Sequence, residues 1–472
     1  MKGLVPWRGK SYGCVSKRYT PLPRPLEPEP HRIVEFKLVF PLVGVNVTKV
    51  LRAPPVRLVS GAPLATNSRG VAIREGSRHN DVPQWEPGAR WGAEYAGENS
   101  MKRRILLVLA ALALAFLAGG QLSAHAQTDG QKPPSAPHAQ PAPWKFAVSG
   151  DSRNCGDVVM PAIAGRVRQS GALFYWHLGD FRKMTGPDED IQHQPEHRAA
   201  PLSEVAYREL AWKDFLDSQI APFGSVPVYL GIGNHETARK TRPDFMVQFR
   251  DWLDAPNLRA QRLRDDPHGL DPKTYYHWTE DGVDFINLDN ATEEQFDADQ
   301  IAWLEKTLRS DMANRRIRAI VVGMHEALPE SLGKNHSMNQ SAAGIESGRR
   351  VYADLLRARR TSHKRVYVLA SHSHYFMDGI FNTDYWKQHG GVLPGWIVGT
   401  AGAARYALPE ESAQARAAET NVYGFLTGTV QAHGNIVFAF ERVNEPEVPA
   451  AVVARYTPEF VHWCFAENSA AH

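Results

Sequence analysis

Residues 146–153 read Phe-Ala-Val-Ser-Gly-Asp-Ser-Arg, a short apolar run that ends in the patch Gly150-Asp151-Ser152-Arg153. The arrangement recurs along the chain. Leu173–Leu178 leads into Gly179-Asp180-Phe181-Arg182, and Val226–Ile232 into Gly233-Asn234-His235-Glu236. Ile317–Val322 leads into Gly323-Met324-His325, and Val366–Ala370 into Ser371-His372-Ser373-His374. Apolar runs of this length, bounded by turn residues, read as buried strands. In an open α/β sheet, ligands bind in the crevice beyond the carboxyl ends of the strands. Strand ends that deliver two Asp, one Asn and several His predict one metal site assembled from distant segments.

Carboxylates, an amide oxygen and imidazoles make an N/O donor set without thiolate, which suits Mn, Fe or Zn. His372 and His374 are two residues apart, so on an extended segment both rings face one side and can serve two adjacent ions. Asp180 is the better candidate for a shared carboxylate, because its two oxygens can bridge ions roughly 3.5–4 Å apart. Two such ions would acidify a water and hold the oxygens of a phosphoryl group. Taken singly the patches are ordinary: Gly-Asp is common turn chemistry, and His325 alone reads as a core or loop histidine. Their joint order carries the prediction. His336, His277 and His433 lack such a context and read as ordinary histidines.

The ordered patches resemble those of the calcineurin-like metallophosphoesterases, which show GD-x-H, GD-x-x, GNH-[DE], a lone His and GH-x-H. The resemblance covers roughly Trp144 to Phe440. It implies an α/β fold of the four-layer type, a β-sandwich of two mixed sheets flanked by helices, and phosphoester hydrolysis with two divalent or trivalent ions. It further implies Asp151, Asp180 and His374 on a first metal, and Asp180, Asn234, His325 and His372 on a second. His235 would stand near the phosphate and the leaving group as general acid, with Glu236 as its partner. A small phosphoester is the implied substrate.

The chain departs from the pattern at Arg153, where the family's first motif has a histidine ligand. Arginine is a donor only and cannot ligate. Purple acid phosphatases also lack that histidine and compensate with a Tyr three residues after the second Asp; here that position is Lys183. The first site is therefore weak, or completed by water or another residue. Arg153 and Arg182 are the candidates for holding a substrate phosphate, since guanidinium matches phosphate oxygens with a bidentate fork. The competing reading turns Arg153 aside to pair with Asp157. Ser371, where Gly is usual, is a mild departure. A competing function is a binding or scaffold protein that keeps the fold with a degraded first metal site.

The 472 residues, 43% hydrophobic, permit a substantial core, and a net charge of +3 gives no indication of nucleic-acid binding. Three Cys exclude a disulfide scaffold, and sequence leaves open whether Cys155 and Cys464 pair. Met101-Lys102-Arg103-Arg104, the apolar Ile105–Gly119 and Ala124-His125-Ala126 form a secretory signal pattern. The expected organisation is then residues 1–100 as an upstream artefact or tail, 101–126 as signal peptide and 127–143 as linker. Residues 144–445 form the catalytic domain and 446–472 a C-terminal extension. This predicts a periplasmic or secreted protein with no membrane span after cleavage, its oligomeric state open. The alternative is a cytoplasmic tail before a membrane anchor.

Helices are expected over Met160–Gln169, Pro201–Ile220, Asp299–Ser310 and Gly348–Arg360. Asp281-Gly282 marks a hairpin between Thr274–Trp278 and Val283–Leu288. Trp396–Val398, Gly424–Val430 and Ile436–Phe440 are expected to close the second sheet. The insert Lys183–Ala200 reads as a surface excursion near the site mouth. Tyr375, Trp386 and Arg405 are candidate pocket residues.

Overall fold

The computed structural model describes residues 142–470 apart from 239–241 and 293; the expected signal peptide and nearly all of the linker lie outside the described residues. Three of the apolar runs become the strands β1 (Trp144–Ser149), β2 (Tyr175–His177) and β3 (Val228–Leu230), which pair in parallel. The second sheet contains the hairpin β4 (Tyr276–Glu280) and β5 (Val283–Asn287), then β6 (Ala319–Gly323), β7 (Arg365–Ala370), β8 (Phe376–Asp378), β9 (Gly395–Val398) and β10 (Ala417–Glu419). Its order is β10-β8-β9-β7-β6-β5-β4, with β5, β6, β7 and β9 parallel and the outer strands antiparallel. At the β4–β5 turn, Asp281 and Gly282 both have positive φ, 36° and 79°, as a tight hairpin requires.

Two late strands depart from expectation. β11 (Tyr423–Val430) and β12 (Ile436–Val443) return to the first sheet, in the order β12-β11-β1-β2-β3. β1 offers a free edge opposite β2, and β11 pairs there antiparallel, with Phe146 opposite Gly428. The missing side chain of Gly428 leaves room for the Phe146 ring, which a Cβ there would strike.

The sheets face each other through an aromatic layer. Phe146 meets Phe285 edge-on at 4.9 Å, Tyr229 stacks on Trp278 at 3.9 Å, and Trp396 meets Phe438 at 4.2 Å. Edge-on and offset contacts of this kind suit the aromatic quadrupole. Helices Ala298–Ala313 and Ala342–Ser362 cover the far face of the second sheet, burying Leu304, Leu308, Val351 and Leu355 against Ile320, Val322, Val366 and Val368. Gly156–Ser170 packs with the first sheet, its Val158, Ile163 and Val167 in the same core as Phe146 and Leu426. The architecture is thus α/β, two mixed sheets flanked by helices.

The C-terminal helices Ala450–Tyr456 and Pro458–Ala466 belong to this body. Tyr456, Phe460 and Cys464 are buried, and Cys464 is disulfide-bonded to Cys155, 309 residues earlier. No helix among the described residues is long and apolar enough to cross a membrane.

Candidate metal centre

The polar patches follow β1, β2, β3, β6 and β7, so they gather at one end of the paired sheets. Asp151, Asp180 and His372 each adopt left-handed backbone, with φ of 61°, 59° and 65°. For non-glycine residues this conformation costs energy and marks sites where the surroundings over-determine the chain. Gly233 permits the close approach of two loops, since a Cβ there would collide with the backbone and carboxylate of Asp180. Glu236 then staples those loops by accepting the N–H groups of Asp180, Phe181 and Gly233, each at 2.8 Å. Burial, and then Asp180, push its carboxyl up to about 8, against those three donors. Glu236 is therefore not the partner of His235 that the resemblance implies. That partner is the Lys183 carbonyl, 2.5 Å from His235 Nδ1.

One group of side chains fits a cation. His325 donates from Nδ1 to the Leu178 carbonyl at 3.0 Å, which turns Nε2 inward. There Nε2 faces Asn234 Oδ1 at 2.9 Å, His372 Nδ1 at 3.0 Å and Asp180 Oδ1 at 3.3 Å. With the His325 hydrogen on Nδ1, its Nε2 is an acceptor like Asn234 Oδ1 and Asp180 Oδ1, and His372 brings at most the one hydrogen of its neutral ring. Burial, and then His325, push His372 down to about 3, so its ring is neutral and carries a lone pair. Ligand atoms of Asp180, His325 and His372 all lie within 4.8 Å of one another. Converging N and O acceptors with at most one hydrogen among them suit a borderline divalent ion, so these residues fit one.

The second group does not open onto free space. Asp151 Oδ2 accepts from His372 N at 2.7 Å and from the Ser371 hydroxyl. Ser371 thus orients the carboxylate, and the bare Gly150 makes room for it. His374 donates from Nδ1 to the Ala404 carbonyl at 2.6 Å, and its Nε2 lies 3.3 Å from Asp151 Oδ1. Between these groups stands Arg153. Its Nη1 donates to His235 Nε2 at 2.6 Å, its Nη2 to His374 Nε2 at 3.1 Å, and its Nε lies 3.8 Å from Asp180 Oδ2. Burial, and then the Arg153 charge, push His374 down. The residues implied for a first ion hold a guanidinium, and they do not fit a second metal as arranged. Arg153 does not turn aside to Asp157.

Asp157 belongs instead to Arg182, which lies away from the site and corrects its assignment to substrate. Its fully buried guanidinium binds Asp190 at 2.9 Å and also Asp157 and Asp214. Asp190 comes from the Lys183–Ala200 insert, so the part of it from Asp188 to Gln194 is anchored in the fold, while residues 195–200 lie mostly exposed, as expected. Asp188 of the same insert accepts from Asn154 N at 2.9 Å and from the Tyr207 hydroxyl at 2.5 Å.

Tyr406 and His336 had no motif to announce them. Tyr406 stacks on His374 at 4.0 Å and on His336 at 4.7 Å, and its hydroxyl lies 3.4 Å from Arg153 Nη2. His336 meets the His372 ring at 5.5 Å. Both line a cavity of about 400 Å³ together with Tyr375, Asn335 and Leu408. Of the other candidates, Trp386 stacks on Tyr352 and donates to the Pro329 carbonyl. Arg405 is bound to carbonyls of Phe465 and Asn468.

No family model matches the chain, and no curated protein is similar enough to match it. Among solved structures, a purple acid phosphatase from yellow lupin (Lupinus luteus) seeds is similar over 64% of this chain, at 15% identity and a TM-score of 0.41. The match spans 52% of the lupin chain, about half its length. PhoD is similar over 66% of this chain and 73% of its own, at 14% identity and a TM-score of 0.42. A phosphatase from Mycoplasma pneumoniae is similar over 64% of this chain and 94% of its own, at 14% identity and a TM-score of 0.32.

Proposed function

We propose that this chain is an exported, metal-dependent phosphoesterase acting on small phosphoesters. One observation carries the reading: Asp180 Oδ1, Asn234 Oδ1, His325 Nε2 and His372 Nδ1 converge at the strand ends with at most one hydrogen among them. A divalent ion held by these four residues would supply Lewis-acid polarisation of a phosphoryl oxygen and a hydroxide nucleophile at neutral pH.

The chain's own groups account for the remaining steps. Arg153 presents a planar fork of donors beside the group, suited to two phosphate oxygens and to the charge of a transferring phosphoryl. An arriving phosphate competes for the donor that now serves His235, and so frees that ring. With Nδ1 held by the Lys183 carbonyl, His235 can exchange a proton only at Nε2, which faces Asp180 Oδ2 at 3.8 Å. Once freed, Nε2 would take up the proton that the attacking water sheds and pass it to the leaving oxygen, so that the ring ends neutral as it began. The cavity bordered by His336, Tyr375 and Tyr406 receives the alcohol part of the ester.

The Cys155–Cys464 bond supports an oxidising compartment, in keeping with the signal pattern that opens at Met101. Expression from Met101 in a Gram-negative host should yield periplasmic protein beginning near Gln127; retention of residues 1–100 contradicts export. A panel of phosphomonoesters and phosphodiesters, run with Mn, Fe and Zn, tests the activity. Turnover of at least one member is expected, and inertness toward all of them sinks the proposal.

A further inference from the structure

The geometry points to a mononuclear centre, in which Arg153 is a built-in cation occupying the place of a second metal ion. The inference rests on the reading of Asp180, Asn234, His325 and His372 as a metal site, and it adds that the chain binds one ion there and no other beside it.

Three observations carry it. First, the guanidinium takes the His374 lone pair that a second ion would need, and that of the neighbouring His235 as well. Both His235 and His374 give their Nδ1 hydrogens to backbone carbonyls, of Lys183 and Ala404, which leaves Nε2 as the free lone pair on each ring. Arg153 donates to both of those nitrogens, at 2.6 and 3.1 Å. Arginine does not deprotonate in proteins, so the charge is permanent.

Second, the two acidic oxygens here left without a hydrogen-bond partner, Asp151 Oδ1 and Asp180 Oδ2, are buried beside the Arg153 charge, which both of these acids stabilise. Asp151 Oδ2 is bound by Ser371 Oγ and His372 N, which leaves Oδ1 facing His374. Asp180 turns Oδ1 to His325 and Oδ2 to Arg153, at 3.3 and 3.8 Å. One carboxylate thus spans a metal on one side and a guanidinium on the other. Asp180 keeps a bridging role, with one of its two partners organic.

Third, the charges exclude each other. Two unit charges about 4 Å apart, at an effective dielectric of about 20, repel strongly enough to weaken binding roughly a thousand-fold. A divalent ion beside Arg153 would suffer more. Tyr406, stacked on His374, places its hydroxyl 3.4 Å from Arg153 Nη2 and so helps to hold the guanidinium there.

The test is metal stoichiometry, which does not depend on turnover. Purified full-length protein is loaded with Mn2+, desalted and assayed by elemental analysis and electron paramagnetic resonance. One Mn2+ per chain, with the six-line signal of an isolated ion, is expected. Arg153→His, which replaces the cation with a neutral imidazole, should bind two and show a spin-coupled pair. Arg153→Gln removes the charge but keeps hydrogen bonding, and it should bind a second ion at least 100-fold more tightly than wild type. Circular dichroism establishes that each variant is folded, and either variant alone is sufficient. Two ions in the wild type, or one ion in both folded variants, overturns the inference and leaves the Asp180 metal site standing. No ion in the wild type overturns that site as well.

Discussion

Arg153 Nη1 donates to Nε2 of His235 at 2.6 Å, so the histidine proposed as proton donor is held by the arginine proposed to bind the phosphate. A guanidinium has hydrogens to give and no lone pair to offer. His235 therefore carries no hydrogen on Nε2 while this bond lasts. On the proposed function, substrate binding and proton transfer would be linked through this one hydrogen bond: a phosphate that draws Arg153 away would free the ring.

If His235 is the proton donor and not a ligand, its loss should slow chemistry while leaving the metal in place. His235→Ala is expected to lower kcat by roughly 10²–10⁴-fold, the usual range for general acid–base catalysis. The deficit should shrink for aryl phosphates, whose leaving groups need little protonation. Metal content should match wild type. An unchanged kcat on alkyl phosphates rejects the role.

Arg182 predicts a different phenotype, because it holds the fold and not the substrate. Its guanidinium is the shared partner of Asp157, Asp190 and Asp214, fully buried with the first two. Removing one partner of a buried ion pair costs about 3–5 kcal/mol, since the remaining charge has no solvent. Arg182→Met should lose at least that much in denaturant melts, and at low temperature its metal content should be unchanged. A loss below about 1 kcal/mol contradicts the buried network.

His277 makes the fold sensitive to alkaline pH. It lies between Asp284 and Asp265, at 2.8 and 2.6 Å. Burial opposes its charge, but Asp284 and then Asp265 outweigh burial and raise its pKa to about 10. The unfolded value is about 6.5. A raised folded pKa means stabilisation that is complete below about pH 6.5 and is lost as pH climbs toward 10. Wild-type Tm should fall steadily between pH 7 and 10, and His277→Gln should flatten that slope. Equal slopes for the two proteins would place the titration elsewhere.

Local signals in the sequence were legible where one segment settles the matter alone. Apolar runs ending in Gly-Asp, Gly-Asn-His or Ser-His-x-His mark strand ends, and Asp281-Gly282 marks its hairpin. What could not be read depends on partners far apart in the chain. Arg182 turns inward because Asp157, Asp190 and Asp214 come from three separate segments, and no spacing rule joins them. The return of β11 and β12 to the first sheet depends on a register between Phe146 and Gly428. Arg153 reaches His235, His374 and Asp180 from a backbone that is left-handed at Asp151, with φ of 61°, a bend that no local pattern announces. Tyr406 and His336 reach the site from loops without a motif, so only the folded chain reveals them.

On the proposed function, Asp180, Asn234, His325 and His372 hold a metal ion on which phosphoester hydrolysis depends. The direct measurement is a titration of metal-free protein with Mn2+, following bound metal and phosphoester turnover together, for wild type and Asp180→Asn. Turnover should rise in step with the bound ion in the wild type, and both should be lost in the folded Asp180→Asn variant. Turnover without metal, or an Asp180→Asn variant that binds Mn2+ and turns over as wild type does, would contradict it.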